Sequence, residues 1–153
     1  MEFSKVLLDT DAVINWLIEE TETVSGKELW KAPFEIVRLI EDRSILGFIS
    51  LTTLLEIRYL LRRKKSYHDY QIEEDISKIT GIFDVIIPDE ITLLKSNSLQ
   101  SARPLDPFDA IHLSVALGLK PITLISRDKE FINVAGNLVD ALTPENFIKT
   151  VKH

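Results

Sequence analysis

The chain has 153 residues, of which 45% are hydrophobic and 27% are charged, a balance typical of a folded globular protein rather than a disordered one. It contains no cysteine, which excludes disulfides, zinc–thiolate sites and cysteine nucleophiles. The formal net charge of −6 argues against a module that holds nucleic acid by charge alone, because such modules are usually basic. It does not exclude an enzyme whose acidic groups hold divalent cations, since those cations would meet the phosphates.

Apolar strand-like runs alternate with helical patterns along the chain. The predicted strands cover residues 6–8, 45–50, 83–87, 122–125 and, with a weaker pattern, 138–141. The predicted helices cover residues 12–20, 28–42, 52–65, 69–80, 89–100, 107–118, 128–134 and a last segment that begins at 144. Apolar strands separated by helices indicate a parallel sheet that is covered on both faces. The sequence therefore predicts an α/β fold.

This pattern runs through the chain without a repeat, a low-complexity tract or a linker, so we expect a single domain over residues 1–153. The polar stretch 19–26 is expected to be a surface loop. No apolar run reaches the roughly 18 residues that a membrane span needs. The N-terminus enters the first strand without a basic leader, and we therefore expect a cytoplasmic protein.

Four acidic residues fall where strands end or where the following helices begin: Asp9, Glu56, Asp109 and Asp128. Ligands of open parallel sheets bind at the carboxyl ends of the strands, so these side chains are expected to meet there. For Asp109 this assumes that the loop before its helix crosses that edge. Four carboxylates repel one another in an empty site but become favourable together around a hard divalent cation such as Mg²⁺. Phosphoryl chemistry uses such ions to activate water and orient the phosphate.

Each aspartate also has an ordinary structural explanation. Aspartate is a favoured helix N-cap, and Asp9, Asp106 and Asp128 all lie close to the start of predicted helices. Asp109 follows Asp106 by three residues, where an acidic side chain can complete a capping box. Both explanations stay open for each aspartate taken singly. Glu56 is harder to explain by capping, because it lies past the first turn of its helix and is surrounded by leucines.

Four segments in this order carry a resemblance to a known family: VLLDTDAVINWL (6–17), ISLTTLLEIRYLL (49–61), LDPFDAIHLSVAL (105–117) and TLISRDKEF (123–131). With them the chain resembles the PIN domain family, and most closely the VapC-type toxins of toxin–antitoxin pairs. The resemblance implies a Rossmann-like, three-layer α/β/α domain with a parallel sheet of about five strands. It also implies a metal-dependent endoribonuclease, a hydrolase that leaves 5′-phosphate and 3′-hydroxyl ends.

The resemblance assigns roles to the acids one by one. Asp9, Glu56, Asp109 and Asp128 match the family's first to fourth acids, which implies that they are catalytic and bind Mg²⁺ or Mn²⁺. Asp9, Asp109 and Glu56 would hold one ion, some of them through water. Asp128 would help to hold a second ion or orient the attacking water.

Three further positions match residues that support the family's site. Thr10 matches a hydroxyl beside the first acid, and Ser126 stands where the family more often has threonine. Asp11 stands where the family commonly has Asn, Ser or Asp, and we expect it to support the site or cap a helix. His112 lies one helical turn from Asp109, and a packed or solvated histidine is the preferred interpretation over a general base.

The dense basic stretch of the chain consists of Arg58, Arg62, Arg63, Lys64 and Lys65. It could steer an RNA backbone or face an acidic partner. Alternatively, its cations are solvated and complement the dipole at a helix C-terminus, which is the preferred interpretation. Arg58 and Arg62 are one turn apart and Arg103 lies in the loop leading to Asp109, so these three are the candidate RNA-binding residues.

The resemblance also implies partners. Family members commonly form homodimers, and toxins of this type are inhibited by a small antitoxin protein that inserts near the metal site. We therefore expect an RNA substrate, an antitoxin and a homodimer. Four aromatic residues could supply such a surface, although helical spacing favours the core for most of them: Trp16, Trp30, Phe34 and Tyr59.

Two other functions compete with a ribonuclease. The first is a PIN-like module that binds RNA or protein without cleaving, which the presence of all four acids disfavours. The second is a phosphatase or a response-regulator-like domain, since these also place Asp at strand ends. Such a domain would need an acidic pair beside a phosphorylatable Asp and a Lys after a later strand, and Lys129 directly after Asp128 does not provide that arrangement.

Overall fold

The structure is a computed structural model that describes residues 4–63 and 66–152. Within these ranges, five strands alternate with helices, so the predicted α/β class is confirmed. The strands are β1 (Lys5–Leu8), β2 (Leu46–Ser50), β3 (Asp84–Ile86), β4 (Thr123–Ile125) and β5 (Asp140–Leu142). The helices are α1 (Thr10–Leu17), α2 (Lys31–Glu41), α3 (Leu51–Arg63), α4 (Asp69–Ile82), α5 (Glu90–Ala102), α6 (Pro107–Gly118), α7 (Lys129–Ala135) and α8 (Pro144–Val151).

All five strands belong to one parallel sheet with the order β3-β2-β1-β4-β5. The central strand β1 pairs on both sides, with Val6 opposite Gly47 of β2 and Thr123 of β4. Because every strand runs in the same direction, all the carboxyl ends lie along one edge. There the backbone N–H of Asp9 donates to the carbonyl of Ile125 at 2.8 Å, which joins the end of β1 to the end of β4.

The sheet is the middle of three layers, as the resemblance implies. Val6 and Leu8 pack on one face against α1, α2, α3, α4 and α8. Leu7 points to the other face and packs against α5, α6 and α7. All three side chains are fully buried, and removing apolar surface from water on both faces is the main favourable contribution to folding.

The ends of the first two predicted helices differ most from those in the structure. The first begins at Thr10 rather than at 12, because the Asp9 side chain accepts the N–H of Thr10 and caps the helix there. It ends at Leu17 rather than at 20, since Glu19 adopts a left-handed φ of 50° that a helix cannot continue. The second begins at Lys31 rather than at 28.

Lys64 and Lys65, which end the predicted third helix, lie outside the described residues. Among the helices of the described ranges, none combines the length and the apolar character that crossing a membrane requires.

Candidate functional site

The carboxyl edge of the sheet carries a cleft of about 350 Å³ that all four predicted acids line. Asp9 directly follows β1, and Glu56 lies on α3, which starts where β2 ends. Asp109 lies in the first turn of α6, and Asp128 caps α7 after β4. The expected convergence of these side chains is therefore observed, while their catalytic and metal-binding roles stay predictions. We call this cavity the acidic cleft.

Asp9 lies at the centre of the acidic cleft and is held from two sides. Its Oδ1 accepts the N–H of Thr10 at 2.7 Å, and its Oδ2 accepts the hydroxyl of Ser126 at 2.8 Å. The carboxyl group is buried, and this burial raises its pKa above the ordinary range, although the nearby His112 lowers it. Asp9 thus acts as a helix cap and also presents a desolvated carboxyl group to the cleft.

Glu56 is connected to Asp9 through two neighbours. The hydroxyl of Thr10 donates to Glu56 Oε1 at 2.7 Å, and His112 Nε2 lies 3.3 Å from the same oxygen. His112 Nε2 also lies 3.4 Å from Asp9 Oδ1. Burial would lower the pKa of His112, but the hydrogen bond to Glu56 and the charges of Asp9 and Asp109 raise it above its ordinary value.

The position of His112 was only partly predicted from the sequence. The residue is packed in the interior, as preferred, with 1% of its side chain exposed. Its ring nevertheless contacts two of the acids, a contact that the sequence interpretation missed. The available signal was its position one turn after Asp109, on the same face of α6.

Asp109 and Asp128 form the more open side of the cleft. Asp109 is half-buried, and burial together with the charges of Asp9 and Asp106 raises its pKa to about 8. Asp128 is exposed, and its Oδ1 accepts the N–H groups of two α7 residues at 3.0 and 3.2 Å, which confirms the predicted N-cap.

The start of α6 shows which capping prediction holds. Asp106 caps the helix and accepts the N–H of Asp109 at 2.9 Å, with Pro107 at the next position. Within the described ranges, the Asp109 side chain makes no return hydrogen bond to Asp106, so the capping box is not formed. The Asp109 carboxyl group is thus free to face the cleft.

Asp11 also lines the cleft and connects it to the turn after β4. Its Oδ2 accepts the backbone N–H of Arg127 at 3.0 Å and lies 3.4 Å from the hydroxyl of Ser126. Its Oδ1 is buried and has no hydrogen-bond partner among the described residues. Burial, and then the charge of Asp9, raises the pKa of Asp11 to about 7. Asp11 therefore joins α1 to the turn between β4 and α7.

Arg127 connects the same turn to Glu145 and to the carbonyl of Leu29. Its role was not predicted from the sequence. Its guanidinium donates to both carboxylate oxygens of Glu145 at 2.8 Å and to the carbonyl of Leu29, and its Nε donates to Asn15. Burial would raise the pKa of Glu145, but the hydrogen bonds and charge of Arg127 lower it. We call Arg127, Asn15, Glu145 and the Leu29 carbonyl the Arg127 cluster.

The candidate RNA-binding arginines lie elsewhere. Arg58 pairs with Glu73, and Arg62 pairs with Asp69 at 2.9 Å, so both contact α4. Arg103 lies at the end of α5 and is partly exposed. Arg62 lies in the last turn of α3, as the preferred interpretation of the basic stretch expects, whereas Arg58 lies near the middle of this helix. Their part in RNA binding stays a prediction.

Four candidate surface aromatics divide between core and surface. Trp16 is 7% exposed and belongs to the core, and Trp30 is partly buried. Phe34 and Tyr59 are 42% and 59% exposed, so the preference for the core is wrong for these two. Helical spacing with apolar residues placed them near the core face, but their rings lie at its border with solvent.

The acidic cleft presents a donor set that suits a hard divalent cation, because Mg²⁺ and Mn²⁺ prefer oxygen ligands. The raised pKa values of Asp9 and Asp109 indicate carboxyl groups whose charge is not fully compensated. In residues 4–63 and 66–152 no three Asp, Glu or His side chains are already arranged to hold an ion. Binding would thus require side-chain rotation or several retained waters, which Mg²⁺ usually keeps.

Two acidic residues of the cleft were absent from the predicted site. Glu20 lines it and accepts the Asn15 side-chain N–H at 2.6 Å, although the sequence placed it in a surface loop. Asp106 also lines it, beyond its predicted role as a cap. Neither position carries a sequence signal, because only the path of the loops brings them to the edge.

The comparison with known structures concerns the whole fold. VapBC2 from Rickettsia felis bound to a DNA fragment from its promoter is 14% identical, with coverage of 90% of this chain and 98% of that chain and a TM-score of 0.66. A toxin–antitoxin complex from Klebsiella pneumoniae is 22% identical, with coverage of 91% and 97% and a TM-score of 0.64. FitAcB from Neisseria gonorrhoeae is 16% identical, with coverage of 92% and 98% and a TM-score of 0.63. At these identities the likeness shows a shared fold.

A comparison with curated proteins finds no match. The comparison with protein families identifies the family of this chain. The family model described as PIN domain matches residues 5–130, which include all four acids of the cleft. Since this match covers most of the 153 residues, the chain belongs to the PIN domain family.

Proposed function

We propose that the protein is a Mg²⁺- or Mn²⁺-dependent endoribonuclease. The observation that carries the proposal is the acidic cleft, in which Asp9, Glu56, Asp109 and Asp128 line one cavity at the carboxyl edge of the sheet. A cleft lined by acids would repel a phosphate backbone unless cations neutralise it. The membership in the PIN domain family supports the same activity.

The side chains of the cleft have distinct parts in this proposal. Asp9, Glu56 and Asp109 would hold one divalent ion, and Asp128 would hold a second ion or orient the attacking water. A bound ion of this type lowers the pKa of water and stabilises the leaving oxygen. The hydroxyl groups of Thr10 and Ser126 keep Glu56 and Asp9 in place by the hydrogen bonds already seen.

We also propose that the protein is the toxin of a toxin–antitoxin pair, acting on RNA in the cytoplasm as a homodimer. Several proteins of the same fold were solved as toxin–antitoxin complexes, which supports an antitoxin partner. Leu55 and Tyr59 lie one turn apart on α3, on either side of Glu56 in sequence, and are 56% and 59% exposed. An apolar segment of a partner protein would cover them.

The alternative function is a PIN-like module that binds RNA or protein without cleaving. One observation favours it. Nε2 of His112 lies against carboxylate oxygens of both Asp9 and Glu56, so these acids have a partner without a metal.

The test is cleavage of a mixed set of labelled RNAs by the pure protein in Mg²⁺, in Mn²⁺ and in EDTA. We expect cleavage only with metal and none by Asp9→Asn, because this change removes a central negative charge while keeping the shape. Asp84→Asn is the matched control, since Asp84 is exposed on β3 and does not line the cleft. Cleavage in EDTA would contradict metal dependence. Metal and RNA binding without cleavage would favour the alternative.

A further inference from the structure

Helix α6 places the His112 ring against two acids of the cleft, one turn after a third acid, Asp109. We propose that His112 is a positioning residue that holds Asp9 and Glu56 in the orientation in which they receive a divalent cation. This inference rests on the proposed function, and it gives a role to His112, which the proposed mechanism of the four acids does not use.

The geometry of the contact is specific to one nitrogen. Nε2 donates to Glu56 Oε1 at 3.3 Å and lies 3.4 Å from Asp9 Oδ1. Nδ1 is buried and has no hydrogen-bond partner among the described residues. The polar contacts of the ring are thus directed to the two carboxylates. Burying a polar nitrogen without a hydrogen-bond partner costs free energy, and a ring that served only for packing would carry this cost at both nitrogens.

The ring cannot leave this place without moving its surroundings. Only 1% of the side chain is exposed, and its neighbours on α6, Leu113 and Ala110, are fully buried in the interior. A side chain that is locked by packing makes a precise support for the groups it touches. Its donor nitrogen therefore stays at a fixed position in front of Asp9 and Glu56.

The hydrogen bonds then determine which oxygen atoms a ligand can reach. Glu56 Oε1 accepts hydrogen bonds from Thr10 Oγ1 and His112 Nε2, and these two donors fix the carboxylate plane. In the described part of the chain, Glu56 Oε2 receives no hydrogen bond. Asp9 Oδ1 has the Thr10 N–H and the same imidazole on one side. The free oxygen of Glu56 is the one left for a cation or its water.

The experiment compares three variants of the full chain by calorimetric titration with Mn²⁺ and by metal-dependent cleavage. His112→Gln keeps an amide nitrogen near the position of Nε2. His112→Leu removes the donor, and His112→Asn keeps an amide that is too short to reach the acids. Since supporting partners of metal ligands typically contribute 10- to 100-fold in affinity, we expect about a 10-fold loss for Leu and Asn and substantial rescue by Gln. His68→Leu, at an exposed histidine, is the control.

The outcomes separate this inference from the proposed function. Equal Mn²⁺ affinity of the wild type and either His112→Leu or His112→Asn would overturn the positioning role alone. A Gln variant that folds and yet binds as weakly as the Asn variant would also overturn it, because packing of the ring would then explain the loss. Wild-type protein that binds no Mn²⁺ would overturn the proposed function and the positioning role with it. Thermal unfolding in EDTA identifies a variant that fails to fold, and the Gln–Asn comparison then decides.

Discussion

Two groups of polar side chains meet where β4 ends, the acidic cleft on one side and the Arg127 cluster on the other. In the Arg127 cluster, one guanidinium donates to a carboxylate, an amide and a carbonyl, and the positive charge is matched by Glu145. In the acidic cleft, seven carboxyl groups line one cavity, and the buried side chain that contacts two of them is His112. The two groups meet in one turn, because Arg127 stands between Ser126 and Asp128 in the sequence.

The pKa values show what this difference means. Arg127 lowers the pKa of Glu145 in spite of burial, so the charged form of the pair stabilises the fold. Burial and like charges raise the pKa of Asp109 and Asp11, so their charged forms oppose folding. Groups kept together at a cost to stability are typical of functional sites. We infer that the Arg127 cluster holds the turn in place and that the acidic cleft binds a ligand.

The largest expected effect comes from breaking the matched group. Arg127→Leu leaves Glu145 and Asn15 without their donor in a partly buried place. Removing one member of such a pair should cost about 3 kcal/mol in free energy of unfolding. The midpoint of thermal unfolding should fall by roughly 6–12 °C. Circular dichroism during heating measures it, and a loss no larger than that of an exposed arginine would show that the cluster does not hold the fold.

A bound cation should relieve the unmatched group and stabilise the protein by a similar amount. At 100 times its dissociation constant, Mg²⁺ or Mn²⁺ should add about 2.7 kcal/mol to the free energy of unfolding. Asp9→Asn should lose most of this increment, because the amide removes one central charge. Thermal unfolding with and without the metal tests it. An equal increment in the variant would place the cation outside the acidic cleft.

A smaller gain should follow from removing one charge of the cleft in the metal-free protein. The pKa of Asp109 is about 8 in the fold, above the ordinary 3.8, so deprotonation opposes folding. Asp109→Asn should therefore raise the free energy of unfolding by about 1 to 2 kcal/mol at pH 8–9, a value reduced because water screens this half-exposed group.

The pH dependence gives the sign of that effect. Because the folded pKa of Asp109 lies above its unfolded value, the free-energy cost of its charge to folding is absent below about pH 4, grows between pH 4 and pH 8, and is complete above about pH 8. The advantage of Asp109→Asn over the wild type should therefore appear between these values. Urea unfolding of both proteins in EDTA, from pH 4 to pH 9, measures it. An advantage that shrinks with rising pH would contradict the raised pKa.

The smallest expected effect belongs to a matched pair in solvent. Arg58→Leu breaks the exposed ion pair with Glu73, and such pairs contribute about 0.5 kcal/mol or less. Urea unfolding should therefore detect little change, which makes this variant the reference for Arg127→Leu. A loss above about 2 kcal/mol in free energy of unfolding would show that solvent exposure does not explain the different contributions of the Arg58–Glu73 and Arg127–Glu145 pairs.

Local sequence determined the elements of the fold and the position of each acid along them. The continuous apolar run of β1 and the helical pattern after it predict a buried parallel strand with an acid at its end. Capping by Asp9, Asp106 and Asp128 was predicted as one of two open explanations, because capping depends only on the next three residues. The gathering of Asp9 and Asp128 followed from a rule about strand ends, which needs the order of elements but no atomic detail.

Tertiary structure decided what these residues contact. The ring of His112 on α6 meets Asp9 after β1 and Glu56 on α3, although α6 and α3 pack on opposite faces of the sheet. Arg127 reaches Glu145 across 18 residues of sequence, and Arg58 turns to Glu73 on the neighbouring helix. Such contacts depend on how helices pack over a sheet, and side-chain spacing along one element does not contain that information. The sequence by itself therefore determined four acids of the cleft, and the packing of distant segments added Glu20 and Asp106 and determined which partners hold them.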